Sequence, residues 1–353
     1  MFVAVVLATA ANSRNSAKPN YIFSSKSFSK IIMSYEILLA PMAGVTDHAF
    51  RVLCHRMGCD RTVSEMISAK AIHYKDEKTA TLARIRADEG PVVLQIFGAE
   101  PEIMAEAADL LTRGAYHGCK SEAAPVGIDI NMGCPMKKIT GNGEGSALMK
   151  NPALIEKIVR YVKSATPLPV SVKIRAGWDS NSINAVECAL AAEQGGADLI
   201  AVHGRTREQL YRPPVDRSVI ADVKRAVKVP VIANGAIDSA KSAAEMLAET
   251  GADGVMIGQA AEGNPWLFAE LAAARDGKPY NPPTWEERML LAIEHIHLLI
   301  EDKGEYIGIR EARRHMGHHC KGMPGATTYR DAVCQAETAA EMLRLTEEFM
   351  RGL

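Results

Sequence analysis

Short apolar runs alternate with stretches of helical composition from residue 37 to about residue 275. Nearly continuous Val and Ile runs of this kind are typical of buried parallel strands joined by right-handed crossovers. Eight such units match the repeat of a TIM (β/α)8 barrel. The runs are ILLAPM from 37, RTVSEM from 61, PVVLQIF from 91, VGIDINMG from 126, PVSVKIR from 169, DLIAVHG from 198, PVIANG from 230 and DGVMIG from 253.

A doubly wound sheet is the alternative fold. It would have fewer strands and a phosphate-binding loop after its first strand. The first run is instead followed by Pro41, Met42, Ala43 and Gly44, so the barrel is the better interpretation.

The repeat stops at the Pro- and Gly-rich linker RDGKPYNPPTW, and the remaining sequence has helical spacing. We therefore expect a barrel over residues 36–278 and a C-terminal helical domain over 283–353. Residues 1–35 differ from both, with a short apolar start and then Ser and Lys without acidic residues. We interpret them as a disordered leader or a misassigned start, with Met33 as the natural first residue, and organelle targeting as the alternative.

Charge and cysteine content limit the classes of function. The 353 residues carry 41 basic and 42 acidic side chains, a net charge of −1, so any nucleic-acid contact must come from a local patch. The seven cysteines form no CxxC pair, which is typical of reduced thiols and predicts a cytoplasmic protein. No membrane association is expected, since no apolar run approaches the roughly 18 residues that cross a bilayer. No obligate protein partner is evident from the sequence.

Polar residues collect at the ends of the predicted strands, where the active sites of TIM barrels lie. One such residue could cap a loop or pair inside the barrel, but residues on five strands indicate a functional site. They are Gln95, Asp129, Asn131, Lys173, Arg175, His203, Arg205 and Asn234.

The last two strands end in the glycine-containing stretches ANGAID and IGQAAEG. Loops at these two positions of a barrel commonly bind phosphate through backbone N–H groups, so a phosphorylated cofactor is expected. Lys173 could stabilise a reduced flavin or form a Schiff base. Spacing alone leaves flavin and pyridoxal phosphate as alternatives.

Cys134 follows the fourth run in DINMGCPMKK, beside Lys137 and Lys138. A thiol near two cations could act as a nucleophile or a proton donor. A small packed residue is the alternative, but Gly133 and Pro135 place this cysteine on a turn, which favours a functional role.

Basic residues concentrate in one part of the helical tail. Residues 310–330 contain five basic side chains and one acidic side chain. Arg310, Arg313, Arg314 and His318 have helical spacing that predicts a shared face. This face could bind nucleic acid or simply be solvated. The HHC stretch lacks partners at ligand spacing, so no metal is expected.

Several stretches together resemble the tRNA-dihydrouridine synthase family, in particular its bacterial B-type branch. The resemblance covers nearly the whole predicted barrel, and the REARRHMGHHCKGMPGA segment of the tail fits the same family. The barrel stretches are APMAGVTDHAFR, TVSEM, QIFGAEP, DINMGCPMKK, GSALM, VSVKIRAGW, AVHGRTREQLY, VIANGAI and DGVMIGQAAEGNPW.

This resemblance implies an FMN-dependent oxidoreductase that reduces specific uridines of tRNA to 5,6-dihydrouridine, with NADPH as reductant. The hydride would pass from flavin N5 to C6 of the uracil, and Cys134 would give the proton to C5. A uridine that reacts in this way must leave its stack and lie on the flavin face.

The resemblance also implies roles for individual residues. Pro41, Met42 and Ala43 would line the flavin ring, Gln95 would bond its polar edge, Lys173 its N1/O2 side, and His203 would lie beside ring and substrate. Asn234, Gly235, Ala236, Gly258 and Gln259 would hold the phosphate, Asn131 and Arg175 would contact the uracil, and Arg310, Arg313 and Arg314 would contact tRNA. Gln259 and Asn264 stand where the family usually has arginine, so one phosphate contact is missing.

Two other functions remain as alternatives. An FMN barrel could reduce or oxidise a free pyrimidine, as dihydroorotate-type dehydrogenases do, but this would give the basic tail no role. A flavin- or RNA-binding protein without turnover is the other, and the presence of Cys134 and Lys173 argues against it.

Overall fold

The computed structural model describes residues 35–114, 116 and 120–353. The predicted leader therefore lies outside the described residues, except for Tyr35, and so does Cys119. Nine strands occur in the described chain. They are β1 (Glu36–Leu39), β2 (Arg61–Val63), β3 (Ile67–Ser68), β4 (Val92–Phe97), β5 (Gly127–Met132), β6 (Val170–Arg175), β7 (Leu199–His203), β8 (Val231–Asn234) and β9 (Gly254–Ile257).

Eight of these strands form a closed parallel barrel. They follow the order β1, β2, β4, β5, β6, β7, β8 and β9, and the pairing of β9 with β1 closes the ring. Parallel pairing brings all their carboxyl ends to one rim. The predicted TIM barrel is confirmed.

The second predicted strand was wrong in one detail, because RTVSEM is interrupted after Val63. The Ser64 hydroxyl accepts a hydrogen bond from Gln95 N at 3.0 Å, in place of a backbone carbonyl of a continuous strand. The chain resumes as the short β3, which pairs only with β4.

Helices connect the strands and build the tail. Asp47 and Ser239 begin two of them by accepting hydrogen bonds from backbone N–H groups of the first turn, as N-cap residues do. The helices are α1 (His48–Arg56), α2 (Ala69–His73), α3 (Glu77–Leu82), α4 (Pro101–Thr112), α5 (Lys137–Thr140), α6 (Pro152–Ala165), α7 (Ala185–Gly195), α8 (Arg217–Ala226), α9 (Ala240–Thr250), α10 (Trp266–Arg275), α11 (Trp285–His319), α12 (Ala326–Val333) and α13 (Ala339–Arg351), with 3-10 turns at Gly145–Lys150 and Gln259–Ala261.

The tail helix α11 packs against the first helix of the barrel, and α12 and α13 pack against α11. Ala49, Val52 and Leu53 of α1 are fully buried in the same apolar cluster as the inner faces of α11, α12 and α13. A buried ion pair of 2.6 Å between Lys303 and Asp47 joins the two parts. Helix α11 breaks at Gly304, whose φ of 75° is outside the helical range.

Helical structure thus begins again at Trp285, close to the predicted start of the tail. The division into separate domains over 36–278 and 283–353 stays a prediction. No helix within the described ranges combines the length and the apolar character that a membrane crossing requires.

Candidate active site

A cavity of about 590 Å³ opens at the carboxyl ends of the barrel strands. The residues to which the resemblance gave roles all line it except Arg310 and Arg313, which lie elsewhere on α11. Asp129, predicted from its place at a strand end, does not line the cavity and lies behind Gln95. Those that line it are Pro41, Met42, Ala43, Gln95, Asn131, Cys134, Lys173, Arg175, His203, Asn234, Gly235, Ala236, Gly258, Gln259 and Arg314.

The cavity also has lining residues to which the resemblance gave no role. Arg205 follows the sixth predicted run, and its place among the polar residues at the strand ends had already indicated it. Tyr211 gave no signal, because it lies on a loop whose path depends on distant contacts: Arg175 donates a hydrogen bond to the carbonyl of Leu210 at 2.9 Å. Glu262 belongs to the loop after β9 and was not considered.

Cys134 is held on a turn built by Asn131. The Asn131 side-chain oxygen accepts hydrogen bonds from the N–H groups of Gly133 at 3.2 Å and Cys134 at 2.9 Å. The next loop packs closely, and a Cβ on Gly145 would lie 2.9 Å from the Cys134 carbonyl oxygen. Gly145 has a φ of +60°, which together with this contact explains glycine there. The turn therefore fixes the position of the thiol.

A buried chain of polar side chains supports Asn131 from behind. Its side-chain N–H donates to Gln95 Oε1 at 2.8 Å, and Gln95 Nε2 donates to Asp129 Oδ2 at 2.7 Å. Ser171 donates to the other Asp129 oxygen at 2.5 Å. Burial raises the pKa of Asp129 against the lowering effect of these hydrogen bonds. The chain connects β4, β5 and β6 beneath the thiol.

The Cys134 thiol is half-buried, and this burial raises its pKa. A hydrogen bond from Met136 N and the charges of Arg175 and Lys173 act in the opposite direction but do not outweigh the burial. The group is therefore a protonated thiol at neutral pH, which suits a proton donor better than a nucleophile.

Lys173 has the strongest electrostatic perturbation of a cation in the cavity. Burial, followed by the charge of Arg175, lowers its pKa from 10.5 to about 7. Its Nζ donates to Asn234 Oδ1 at 2.9 Å, a neutral partner. A lysine in this state gains its full charge when an anion binds beside it.

Two arginines and a histidine extend the positive charge of the cavity. Burial, followed by the charges of Lys173, Arg175 and Arg205, lowers the pKa of His203 well below its usual value. The neutral ring lies 3.3 Å from Nη1 of Arg205, and Arg205 Nε is buried without an acceptor among the described residues. This excess of cations favours an anionic ligand.

The loops after β8 and β9 present free backbone N–H groups to the same cavity. Gly235 and Ala236 have φ angles of +117° and +51°, and successive turns of this kind form anion-binding concavities. Within the described residues, the N–H groups of Gly235, Ala236, Gly258 and Gln259 donate to no protein acceptor. A Cβ on Gly235 would lie 3.1 Å from the His203 ring, so glycine also lets the loop approach that ring.

The tail reaches the cavity only through Arg314 among the predicted arginines. Arg314 donates to Glu262 at 2.9 Å, and His318 lies 3.3 Å from the same carboxylate. Helix α11 contains all four residues of the predicted face, but their side chains reach different partners. Arg313 turns to the carbonyl oxygen of Ala336 at 2.6 Å, at a loop that local helical spacing cannot reveal.

Arg310 is exposed and lies against its neighbour Tyr306, with 3.6 Å between the guanidinium and the ring centroid. In the described parts of the chain, no group of three or more His, Cys, Asp or Glu side chains has a geometry that could hold a metal ion.

The fold and the cavity define a TIM barrel with an excess of cationic side chains and a thiol at its mouth. A sequence profile described as dihydrouridine synthase (Dus) matches residues 38–352. The chain belongs to this family, in its B-type branch.

Curated relatives agree with this assignment. The chain is 40% identical over 319 residues to tRNA-dihydrouridine synthase B of Xanthomonas axonopodis pv. citri, and the alignment covers 90% of this chain and 93% of the relative. It is also 40% identical to tRNA-dihydrouridine synthase B of Shewanella oneidensis, in an alignment that covers 90% of this chain and 96% of that relative. A solved structure of a mutant (S)-mandelate dehydrogenase matches with a TM-score of 0.43 at 15% identity over 69% of this chain and 73% of that chain, too distant to add to the argument.

Proposed function

We propose that this protein reduces uridine in tRNA to 5,6-dihydrouridine with bound FMN and NADPH. Family membership supports the uridine reduction. The observation that carries the finer proposal is the shared cavity, which combines a protonated thiol with a phosphate-type cradle and a lysine whose pKa is depressed. A cytoplasmic location stays a prediction.

The residues present fit FMN. The unpaired N–H groups after β8 and β9 suit a phosphate, and Lys173 lies in the same cavity with no carboxylate in ion-pair distance among the described residues. We propose that Asn234, Gly235, Ala236, Gly258 and Gln259 hold the phosphate, and that the flavin ring lies on Pro41, Met42 and Ala43. Gln95 and His203 would complete its surroundings.

When bound and reduced, FMN would supply the hydride that adds to C6 of the uracil. Cys134 would donate its Sγ proton to C5, and its raised pKa keeps that proton available at neutral pH. Lys173 would stay protonated against the negative charge of the reduced ring. Asn131 would keep the thiol in place through two hydrogen bonds.

Contacts with the base follow from the same geometry. The hydrogen-bonding groups of Asn131 are used inside the protein, so its predicted uracil contact would need a rearrangement. Arg175 uses Nε and Nη1 for three backbone carbonyls, which leaves Nη2 as the group for a uracil oxygen. Arg310, Arg313 and Arg314 remain proposed tRNA contacts.

The test is product analysis. Unmodified tRNA transcript is incubated with the FMN-loaded protein and NADPH, digested to nucleosides and analysed by mass spectrometry for the gain of two hydrogens by uridine. Product from the transcript but not from free uridine or uracil is expected. Reduction of the free base at a comparable rate would favour the free-pyrimidine alternative, and no product from either would refute the proposal.

A further inference from the structure

Three loops at the mouth of the barrel carry a surplus of unpaired cations. Residues 133–150, 175–184 and 204–216, which end or follow β5, β6 and β7, contain seven basic and four acidic side chains. Among the described residues, none of the seven lies within ion-pair distance of a carboxylate, although cations of the outer helices such as Arg160, Arg217 and Lys224 are paired. The seven are Lys137, Lys138, Lys150, Arg175, Arg205, Arg207 and Arg212.

The acidic residues of these loops have other partners or positions. Glu144 is buried, with 4% exposure. Asp179 accepts hydrogen bonds from its own loop at Asn181 N and Ser182 Oγ. Asp216 caps α8 through the N–H of Ser218. Glu208 is exposed and forms no ion pair with these cations in the described chain. The positive charge of the rim is therefore left for an external anion.

The indole ring of Trp178 contacts two of these cations. Lys150 Nζ lies 3.4 Å from the indole ring and the Arg207 guanidinium 4.6 Å from it. Arg207 Nε is buried and has no acceptor in the part of the chain that the structure describes. The loop itself is fixed, because Arg207 N donates to Gly177 O at 2.9 Å and Glu208 N donates to Trp178 O at 3.0 Å. We call Lys150, Trp178 and Arg207 the rim cluster.

The rim cluster lies across the mouth from the tail. In the ring of eight barrel strands, β6 stands opposite β1. Trp178 follows β6, whereas Arg314 of the tail lies beside Gly44 after β1 and pairs with Glu262 after β9. A ligand that reaches both would cross the opening above Cys134.

We propose that the rim cluster binds backbone phosphates of the substrate RNA on the side of the mouth opposite the tail. This inference rests on the proposed function. Stacking on the indole ring holds each cation in place, so less side-chain entropy is lost when a phosphate binds. A polyanion with regularly spaced charges matches two fixed cations without a carboxylate partner.

The experiment titrates the FMN-loaded protein with unmodified tRNA transcript by fluorescence anisotropy at several salt concentrations. The Lys150→Gln/Arg207→Gln double variant should bind roughly 30-fold more weakly at 0.1 M salt, and the slope of log affinity against log salt should fall by about 1.5. Trp178→Leu should weaken binding by a few-fold with the salt slope unchanged, because both charges remain.

The matched control is Lys157→Gln/Arg160→Gln on α6. It removes the same charge from the outer surface, and Lys157 also lies over an aromatic ring, that of Tyr161 at 5.2 Å. It should bind tRNA like the unchanged protein. Equal affinities and slopes for the two double variants would overturn the rim proposal while leaving the proposed function intact. Absence of tRNA binding by the unchanged protein would instead refute the function, and the rim proposal with it. Denaturant midpoints establish that the variants are folded.

Discussion

Lys173 should lower the free energy of unfolding of the ligand-free protein and strengthen the binding of FMN. The substitution Lys173→Met separates these two effects. The pKa of Lys173 falls from 10.5 to about 7 in the folded chain. At 1.36 kcal/mol for each pKa unit, the protonated form costs the ligand-free fold about 5 kcal/mol at most. This full destabilisation applies below pH 7, where Lys173 is protonated in both the folded and the unfolded chain.

The sign of the pH dependence follows from proton counting. Between pH 7 and 10.5 the unfolded chain binds more protons at this site than the folded chain, so the free energy of unfolding rises with pH. Lys173→Met should therefore stabilise the ligand-free protein by several kcal/mol at pH 6, with a difference that shrinks towards pH 10. Denaturant unfolding at both pH values measures it.

The affinity for FMN should change with pH in the opposite direction to the stability, and should fall as the pH rises. An anionic ligand beside Lys173 raises its pKa, so binding takes up a proton above pH 7. The phosphate of FMN would supply this charge near Asn234, the hydrogen-bond partner of Lys173. If the bound-state pKa lies well above 9, the Kd for FMN should rise about 50-fold between pH 7 and 9. Fluorescence titration of the ligand-free protein with FMN tests this, and Lys173→Met should bind weakly without that rise. A Kd that is equal at pH 7 and 9 in the unchanged protein would refute the reasoning.

Three further predictions, which use four substitutions, test other parts of the structure. Cys134→Ala should leave reduction of bound FMN by NADPH unchanged in a stopped-flow trace, while reoxidation by tRNA slows by about 100-fold or more; an unchanged second phase would exclude the thiol as the acid. Glu89→Ala leaves Arg51 buried without its 2.6 Å partner and should lower the free energy of unfolding by about 3–5 kcal/mol, measured by urea titration. Arg314→Ala should weaken tRNA binding in an anisotropy titration more than Arg313→Ala, since the Arg313 side chain is engaged by Ala336; the reverse order would contradict this assignment.

The sequence predicted those features that depend on local pattern. Alternation of apolar runs with helices was sufficient for the barrel, because buried parallel strands require nearly continuous Val and Ile. Strand ends then gave the residues that converge on the cavity, since parallel pairing brings all carboxyl ends to one rim. The interruption after Val63 could not be predicted, because it depends on the Ser64 hydroxyl replacing a backbone acceptor for Gln95.

The features that the sequence did not predict depend on contacts between residues far apart in the chain. Arg313 was placed with Arg310 and Arg314 by helical spacing, but its partner, Ala336, is 23 residues away. Tyr211 enters the cavity wall through a loop that is bonded to Arg175, 35 residues before Leu210. In both cases the tertiary contact determines the orientation of the side chain, and no periodicity in the sequence reports it.

The measurement that tests the central claim most directly is an anaerobic absorption titration of the FMN-loaded protein. NADPH should bleach the visible flavin absorption, and unmodified tRNA should then restore it in proportion to the uridine reduced. Cys134→Ala should bleach but recover very slowly. Recovery with free uracil in place of tRNA, or a protein that retains no FMN while remaining folded, would contradict the account.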